Sequence, residues 1–320
     1  MKVSASAVEF DLTKPFGISR GQKATANVLQ AEITEGRFTG RGEGVPYQRY
    51  ADTSDLAITQ IRELPAEFSR QDLRYLLPAG SARNALDAAL WELECKTSGQ
   101  SIWSAVGLHA HRALSLGYTV SLRDTAEMIQ DAQRNSRYEL IKIKLGGPDD
   151  KAVMRGIKEV APHSRLIVDV NEGWSLEELD LMVPVLVDCG VELLEQPLPA
   201  ELDAELKNMS IPIPLCADES FHPNSKISDL SPAFDCVNIK LDKSGGLTTA
   251  IQDLAAAREA GLKVMVGCMV SSSLAIAPAF ILAQQADYWD LDGFLSIATD
   301  RSPSMRVENG AVDLPVGLWC

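Results

Sequence analysis

The sequence holds no run approaching 18 apolar residues free of charge, and residues 1–10 lack the basic segment and apolar stretch of a secretion signal. Membrane spanning and export are therefore both disfavoured. Its six cysteines (Cys95, Cys189, Cys216, Cys236, Cys268 and Cys320) include no Cys-x-x-Cys pair and no spacing suited to structural zinc, so they read as reduced thiols of a cytoplasmic protein. Cys320 stands last rather than fourth from last, which does not fit a prenylation signal. Positive charge is in deficit. With 30 Lys and Arg against 44 Asp and Glu, the net charge of −14 argues against nucleic acid as a partner, although an anionic small substrate in a locally basic pocket is compatible with it. Gly40, Gly42 and Gly44 precede no helix at phosphate-loop spacing, and Gly245 with Gly246 reads as a turn. The four histidines, His109, His111, His163 and His222, fall in loops or at helix ends and make no Ser-His-acid set.

What is present is a chain of 320 residues, 46% hydrophobic, able to bury one large domain and a smaller one. Five charged positions stand out at the ends of apolar, strand-like runs: Lys144 (with Lys142 two before it), Asp169, Glu195, Asp218 and Lys240, spaced 25, 26, 23 and 22 residues apart. That rhythm is the product of a repeating strand-helix unit. Strands are expected at 114–122, 140–145, 166–171, 191–197, 214–220, 235–241, 262–270 and 286–292. Amphipathic helices lie between them. Ser175 with Glu178 makes a capping box, Leu179, Val183, Leu186 and Val187 follow at helical spacing, and Gly190 stops the helix. Asp149 or Asp150 caps a helix ended by Pro162, and a further helix through Leu247, Ile251 and Leu254 stops before Gly261. Eight such strands suggest an α/β fold with a closed parallel barrel, an open doubly wound sheet being the competitor. Residues 1–110 differ: strands at 28–33 and 38–42 flank a Glu35-Gly36 turn, and 81–97 is a helix, giving an α+β domain ahead of a barrel at 111–293. The tail, 294–320, lacks the barrel period and is expected to rejoin the first domain.

Side chains alternate along a strand, so Lys142 and Lys144 share one face while Ile141, Ile143 and Leu145 take the other. The aliphatic face meets the helices, which leaves the lysines inside the barrel at its C-terminal end. By the same parity Asp169 lies beside Asn171, and Lys240 between Asn238 and Asp242. Asp169, Glu195 and Asp218, from three successive strand ends, suit one hard divalent cation such as Mg²⁺. Taken singly, these acids also fit helix caps, and the lysines fit salt bridges to them. Adjacent ammonium groups and desolvation are expected to depress the lysine pKa and free an amine as a base. Lys144 and Lys240, on the second and sixth of eight strands, stand across the barrel mouth. Bases so opposed remove a proton from one face of a carbon and return it to the other, with the enediolate charge stabilised on a metal-held carboxylate.

Lys142-Ile143-Lys144, Asp169-Val170-Asn171, Glu195-Gln196-Pro197, Asp218-Glu219-Ser220 and Asn238-Ile239-Lys240 resemble, in that order, the enolase superfamily in its muconate lactonizing enzyme subgroup. The resemblance implies an N-terminal capping domain over a modified (β/α)7β barrel, one Mg²⁺ held by Asp169, Glu195 and Asp218, and Lys144 with Lys240 as the acid/base pair, supported by Lys142. Asn171 would sit behind the metal ligands. Asp290-Leu291-Asp292 looks like the Asp-x-Asp motif with which dipeptide epimerases hold the substrate's ammonium group, and Thr119 is expected beside the substrate. Arg20, in Phe16-Gly17-Ile18-Ser19-Arg20-Gly21, sits where L-Ala-D/L-Glu epimerases have an arginine for the glutamate side chain, and also fits a solvated surface residue. The runs Gly80-Ser81-Ala82-Arg83-Asn84-Ala85-Leu86-Asp87 and Gly267-Cys268-Met269 are similar to the same epimerases. The implied activity is inversion of the glutamate α-carbon of L-Ala-D-Glu or L-Ala-L-Glu, cell-wall murein peptide fragments, with a small dipeptide as partner and homo-oligomer formation left open. An o-succinylbenzoate synthase or cycloisomerase shares the metal acids and lysines, a Schiff-base lysine aldolase shares the lysines, and a non-catalytic metal-binding scaffold shares the acids.

Overall fold

Eight strands form one parallel sheet in chain order: Gly117–Val120, Leu140–Lys144, Arg165–Asp169, Val191–Glu195, Leu215–Ala217, Cys236–Ile239, Lys263–Gly267 and Tyr288–Asp290. The computed structural model describes residues 1–108, 111–223, 225–230 and 232–319, so His109 and Cys320 lie outside the described residues. The first and eighth strands meet, and side chains fasten the seam. The Thr119 amide donates to Asp292 Oδ2 at 2.6 Å, and Trp289 Nε1 donates to the Ser115 carbonyl at 2.6 Å. The sheet thus curls into the barrel expected from the strand rhythm, not an open doubly wound sheet.

Strand parity sorts the side chains as the sequence implies. Ile141, Ile143, Leu145, Leu166, Val168 and Val170 face outward into the main core against the helices. Leu140, Ile167, Leu193, Cys216, Cys236 and Met265 point inward one layer below the charged residues and form an apolar floor. That floor bars water from the lower end, so the charged layer must satisfy itself or face the upper mouth. Strand register sets Lys144 beside Asp169, and Asp169 beside Glu195, at one height.

The first part of the chain is an antiparallel sheet of Lys2–Ile18, Gly21–Glu35 and Phe38–Gly44, covered by the helix Ser81–Ser98. Gly40, Gly42 and Gly44 are all on the face the helix covers. A Cβ at Gly42 would fall 2.1 Å from the Ala85 carbonyl oxygen, so the missing side chains are what let helix and sheet touch. Asp52 supplies the helix's missing cap from outside, accepting from the Ser81 amide at 2.7 Å. Residues after 293 run back to this sheet: Arg301 Nε donates to Glu43 at 2.8 Å, Arg41 Nη2 to the Leu318 carbonyl at 2.7 Å, and Trp319 Nε1 to the Ala88 carbonyl at 3.2 Å.

Several expectations need correction. The strand expected at 114–122 is two: Leu114–Ser115 leaves the barrel and pairs antiparallel with Ala311–Asp313, because the chain turns before Gly117. Lys2–Ile18 is a 17-residue strand unforeseen in the sequence, since its alternating half-buried and exposed residues carry little apolar signal. The capping box at Ser175 and Glu178 forms, and Gly190 ends that helix at φ 71°. Asp149, however, makes no side-chain cap to the helix Asp150–Val160. Asp150 turns back instead, accepting from the amides of Gly146 and Gly147 and from Trp174 Nε1 at 2.7 Å. Nor is every crossover a full helix: after the fifth strand only the short 3-10 turn Ile227–Asp229 appears among the described residues. His111, His163 and His222 are exposed, Cys95 is buried, and Cys189, Cys216 and Cys236 are buried free thiols. Among the described residues no helix is long and apolar enough to cross a membrane.

Candidate active site

At the upper rim of the barrel one carboxylate oxygen from each of Asp169, Glu195 and Asp218 lies within 4.8 Å of the others, and all three residues are buried. Their donor set is three hard oxygens, the chemistry that suits a hard divalent cation. Lys142 is the hub beneath them. Its ammonium, 1% exposed as a residue, stands 2.7 Å from Glu195, 2.8 Å from Asp290 and 3.0 Å from Asp169. Lys144 pairs with Asp169 and donates to Asn171 Oδ1 at 3.0 Å. On the opposite strand Lys240 donates to Asp218 Oδ2 at 2.6 Å.

These pairings set the charge states. Burial lowers the Lys142 ammonium, but Asp169, Asp290 and Glu195 outweigh it and hold it well above the ordinary lysine value. Lys240 is likewise lowered by burial and held up by Asp218 and Glu195. The depression expected from the neighbouring Lys142 and Lys144 ammonium groups is not met at Lys142, because the carboxylates that face it are nearer and more numerous than the cations. The triad itself is unequal. Burial raises Asp169 and Asp218, yet Lys142 with Lys144 hold the first down, and Lys240 with Lys243 the second. Glu195 is pushed up by burial and by Asp169.

The eighth strand adds Asp290 and Asp292. Burial raises Asp290, but the Lys142 contact prevails and keeps it low. Asp292 is pushed up to about 7 by burial and by Asp290, although Thr119 donates to it from its amide and, at 3.2 Å, from its hydroxyl. The two acids thus share Thr119, whose hydroxyl is also 3.3 Å from Asp290. A cation arriving here meets two carboxylates backed by one hydroxyl.

Sequence reasoning missed four neighbours. Lys243, buried and one short turn after Lys240, donates to the Asp218 carbonyl at 2.5 Å, to its Oδ1 at 2.7 Å and to the Asn238 carbonyl at 3.1 Å. Asn238, which parity had placed beside Lys240, donates to Glu195 Oε1 at 2.7 Å. Gln196 Oε1 accepts from the amides of Asp218 and Ser220 at 3.0 Å, tying the fourth strand's end to the fifth's. Glu219 receives Asn171 Nδ2 at 3.1 Å and Arg20 Nη2 at 2.6 Å. Glu219 and Gln196 lay inside quoted motifs, so their positions were a usable signal; the Lys243 contacts depend on a turn that spacing does not reveal.

Lys142, Lys144, Asp218, Lys240, Asp290 and Asp292 line a cavity of about 710 Å³ that is roofed by cap residues including Arg20, Lys23 and Tyr47. A wider surface hollow of about 980 Å³, beside the first cap strand and the loop after Lys144, contains none of these acids or lysines.

Residues 2–107 match the family described as mandelate racemase / muconate lactonizing enzyme, N-terminal domain, and residues 124–317 match enolase C-terminal domain-like. The chain is 38% identical to the L-Ala-D/L-Glu epimerase of Escherichia coli (strain K12), over 95% of this chain and 96% of the relative. It is 42% identical to the N-acetyl-D-glutamate racemase of a Pseudoalteromonas species, over 90% and 93%. Its fold superposes with a TM-score of 0.96, at 39% identity and 99% coverage of both chains, on an enolase family member from Agrobacterium tumefaciens with homology to dipeptide epimerases, solved with sodium and L-Ala-L-Glu. A dipeptide epimerase of Methylococcus capsulatus, complexed with Mg and L-Arg-D-Lys, superposes with a TM-score of 0.90 at 27% identity, over 99% of this chain and 98% of that one. With both family domains matched in order over nearly its whole length, the chain belongs to the enolase superfamily, and it is an isomerase.

Proposed function

We propose that the chain is a cytoplasmic, Mg²⁺-dependent dipeptide epimerase that inverts the glutamyl α-carbon of L-Ala-D-Glu and L-Ala-L-Glu, in the turnover of murein peptides. The observation that carries the reading is the pair of buried lysines on opposite strands, Lys144 and Lys240, with the three-acid cluster between them. The relatives support it: the Escherichia coli and Agrobacterium proteins are named or liganded with an Ala-Glu dipeptide.

Asp169, Glu195 and Asp218 would hold the metal, with Asn171 and Asn238 behind them orienting Lys144 and Glu195 through the hydrogen bonds given above. When bound, the cation draws carboxylate charge away from the lysines, lowering their proton affinity, and stabilises negative charge on a substrate carboxylate. One lysine breaks the α C–H bond and keeps the proton while the electron pair moves onto the substrate's carboxylate. The lysine opposite returns a proton to the other face, leaving the inverted centre. Lys142 stays protonated among its three carboxylates, which fits it to steady negative charge and not to act as a base. Asp290, Asp292 and Thr119 receive the substrate's ammonium group, and Arg20 belongs to the cap wall on the side-chain end of the cavity.

The test incubates the protein and Mg²⁺ with L-Ala-D-Glu and L-Ala-L-Glu in D₂O, following loss of the α-proton by NMR. Exchange with interconversion is expected; no exchange from either diastereomer sinks the reading. Lys144→Ala and Lys240→Ala should each abolish interconversion, and full activity in either removes the two-base mechanism. A second reading, racemisation of an N-acylated glutamate, is favoured by Asp292: burial and Asp290 raise its carboxyl, which disposes it to hold a proton and donate it to an acyl oxygen. N-acetylglutamate turned over faster than L-Ala-L-Glu would select it.

A further inference from the structure

The turn that follows Lys240 is gripped from two sides. Lys240 leads directly from the sixth strand, Cys236–Ile239, into the one-turn helix Leu241–Ser244, so any shift of that turn carries the root of its side chain with it. On the barrel side, Lys240 and Lys243 bond the two carboxylate oxygens of Asp218, at 2.6 and 2.7 Å. On the other side, the cap holds the same turn. Asp242 Oδ1 accepts from the Val45 amide at 2.7 Å and from Asn84 Nδ2 at 2.8 Å, while Arg83 Nε donates to the Gly245 carbonyl at 3.1 Å. The Thr248 amide donates back to Asp87 at 3.0 Å. The cap helix Ser81–Ser98 lies directly on the two glycines: a Cβ on Gly245 would fall 2.2 Å from Arg83 Nε, and one on Gly246 2.5 Å from Asp87 Cβ.

Asp242 is where the two sides meet. It stands outside the three-acid cluster, yet it is two residues from Lys240, and the Val45 amide it accepts from opens the segment 45–50 that lines the roof of the cavity. Of the contacts the Asn84 side chain makes, the one to Asp242 is the firmest. The residue is buried with Oδ1 unpaired among the described residues, which opposes stability, and its other Nδ2 contact, to the Glu43 carbonyl, is at 3.5 Å. Lys144 has no counterpart. Its ammonium is placed by Asp169 and Asn171, and among the described residues no cap side chain bonds residues 145–149 of its own turn. The cap reaches that side one loop further on, where Ser19 and Arg20 hold the Asn171 carbonyl. The opposed lysines are thus fastened by different parts of the molecule.

We propose that Asp242 is a positioning residue for Lys240: by holding Val45 and Asn84 it fastens the turn that carries this lysine to the cap, so one of the two bases depends on that contact and the other does not. The consequence is a chemical asymmetry. Loosening the tie slows proton transfer at the face Lys240 serves, while Lys144 still takes the α-proton from its own face, mixes it with solvent hydrogens on the ammonium and returns one to the same face. This rests on the epimerase reading above, because it supposes a lysine on each face of one carbon.

The experiment follows α-hydrogen exchange from L-Ala-D-Glu and from L-Ala-L-Glu separately in D₂O, with the full-length Mg²⁺-loaded enzyme, and takes the ratio of the two initial rates. Asp242→Ala should shift that ratio by about tenfold or more, in the direction set by Lys240→Ala and opposite to Lys144→Ala, and Asn84→Ala should shift it the same way by less. Asp242→Asn keeps the accepting oxygen and should hold the ratio within about threefold of the wild type. Equal slowing of both diastereomers in Asp242→Ala and Asn84→Ala overturns the proposal, since a merely structural tie weakens both faces alike. A second readout needs no turnover. Acetic anhydride labelling of the metal-free protein, read by peptide mass spectrometry, should give a ratio of Lys240 to Lys144 labelling raised by about threefold or more in Asp242→Ala and Asn84→Ala. An unchanged labelling ratio refutes the tie. If the wild type exchanges neither diastereomer, the epimerase reading has failed, and the labelling ratio still decides whether Asp242 places Lys240.

Discussion

Replacing Lys142 by Met tests whether one buried ammonium holds the whole charged layer together. Lys142 faces three carboxylates at 2.7 to 3.0 Å, each worth about 6 kcal/mol of gross attraction at an effective dielectric near 20. Most of that is offset by the desolvation of four buried charges, so the net cost of removing one partner is about 3–5 kcal/mol. Methionine has nearly the length of lysine and no charge, which separates electrostatics from packing. The assay is urea denaturation in EDTA, where Lys142→Met should lose about 4 kcal/mol against the wild type. Adding Asp290→Asn removes one of the stranded anions, and the double variant should recover about 1–3 kcal/mol of the loss as coupling energy. Saturating Mg²⁺ should narrow the gap further, because a divalent cation takes over the missing countercharge. An unchanged urea midpoint for Lys142→Met in EDTA would refute this account, since the three acids would then be discharged by protons and not by the lysine.

Three other outcomes are open to measurement. Burial pushes Asp87, in the helix–barrel contact, up to about 6 despite its bonds from Thr248. A raised carboxyl contributes stability that is fully present below its unfolded value near about 4 and is lost as pH rises through about 6, so the wild type should lose about 1.4 kcal/mol more than Asp87→Asn between about pH 5 and pH 8. Parallel stability curves would show that Asp87 is ionised throughout. Gly42→Ala puts a Cβ 2.1 Å from the Ala85 carbonyl oxygen, a clash of backbone that should cost about 1–3 kcal/mol and be visible as a lower Tm. Lys243→Met strips three bonds from the Asp218 corner and should cut kcat/KM by about a hundredfold or more; wild-type activity would show that Asp218 is held without it.

The barrel was legible because its charges interrupt apolar runs: once Lys142 and Lys144 share a face with Ile141 and Ile143 opposite, the inside of the strand is assigned. Register then brings Lys144, Asp169 and Glu195 level with no further information. The cap strand Lys2–Ile18 was not legible, since a strand with only Gly17 buried leaves almost no period to read. The charge states were misread for a related reason. Two lysines two residues apart look like mutual repulsion in the sequence, whereas Asp290 reaches Lys142 from 148 residues away and reverses the balance. Lys243 was invisible because its partners gather only when the short helix Leu241–Ser244 turns it under Asp218.

The return of the chain from the barrel to the cap has a consequence for synthesis. The Arg41 guanidinium bonds the Leu318 carbonyl across 277 positions, and the Trp319 indole bonds the Ala88 carbonyl across 231. A ribosome delivers the cap strands and their helix first, but the segment that completes them arrives only after all eight barrel strands. Until then the cap's far side lacks its cover, and any chaperone that engages the nascent chain has an exposed surface on which to act. Translation halted beyond the eighth strand but short of this return would yield a formed barrel beneath an unfinished lid.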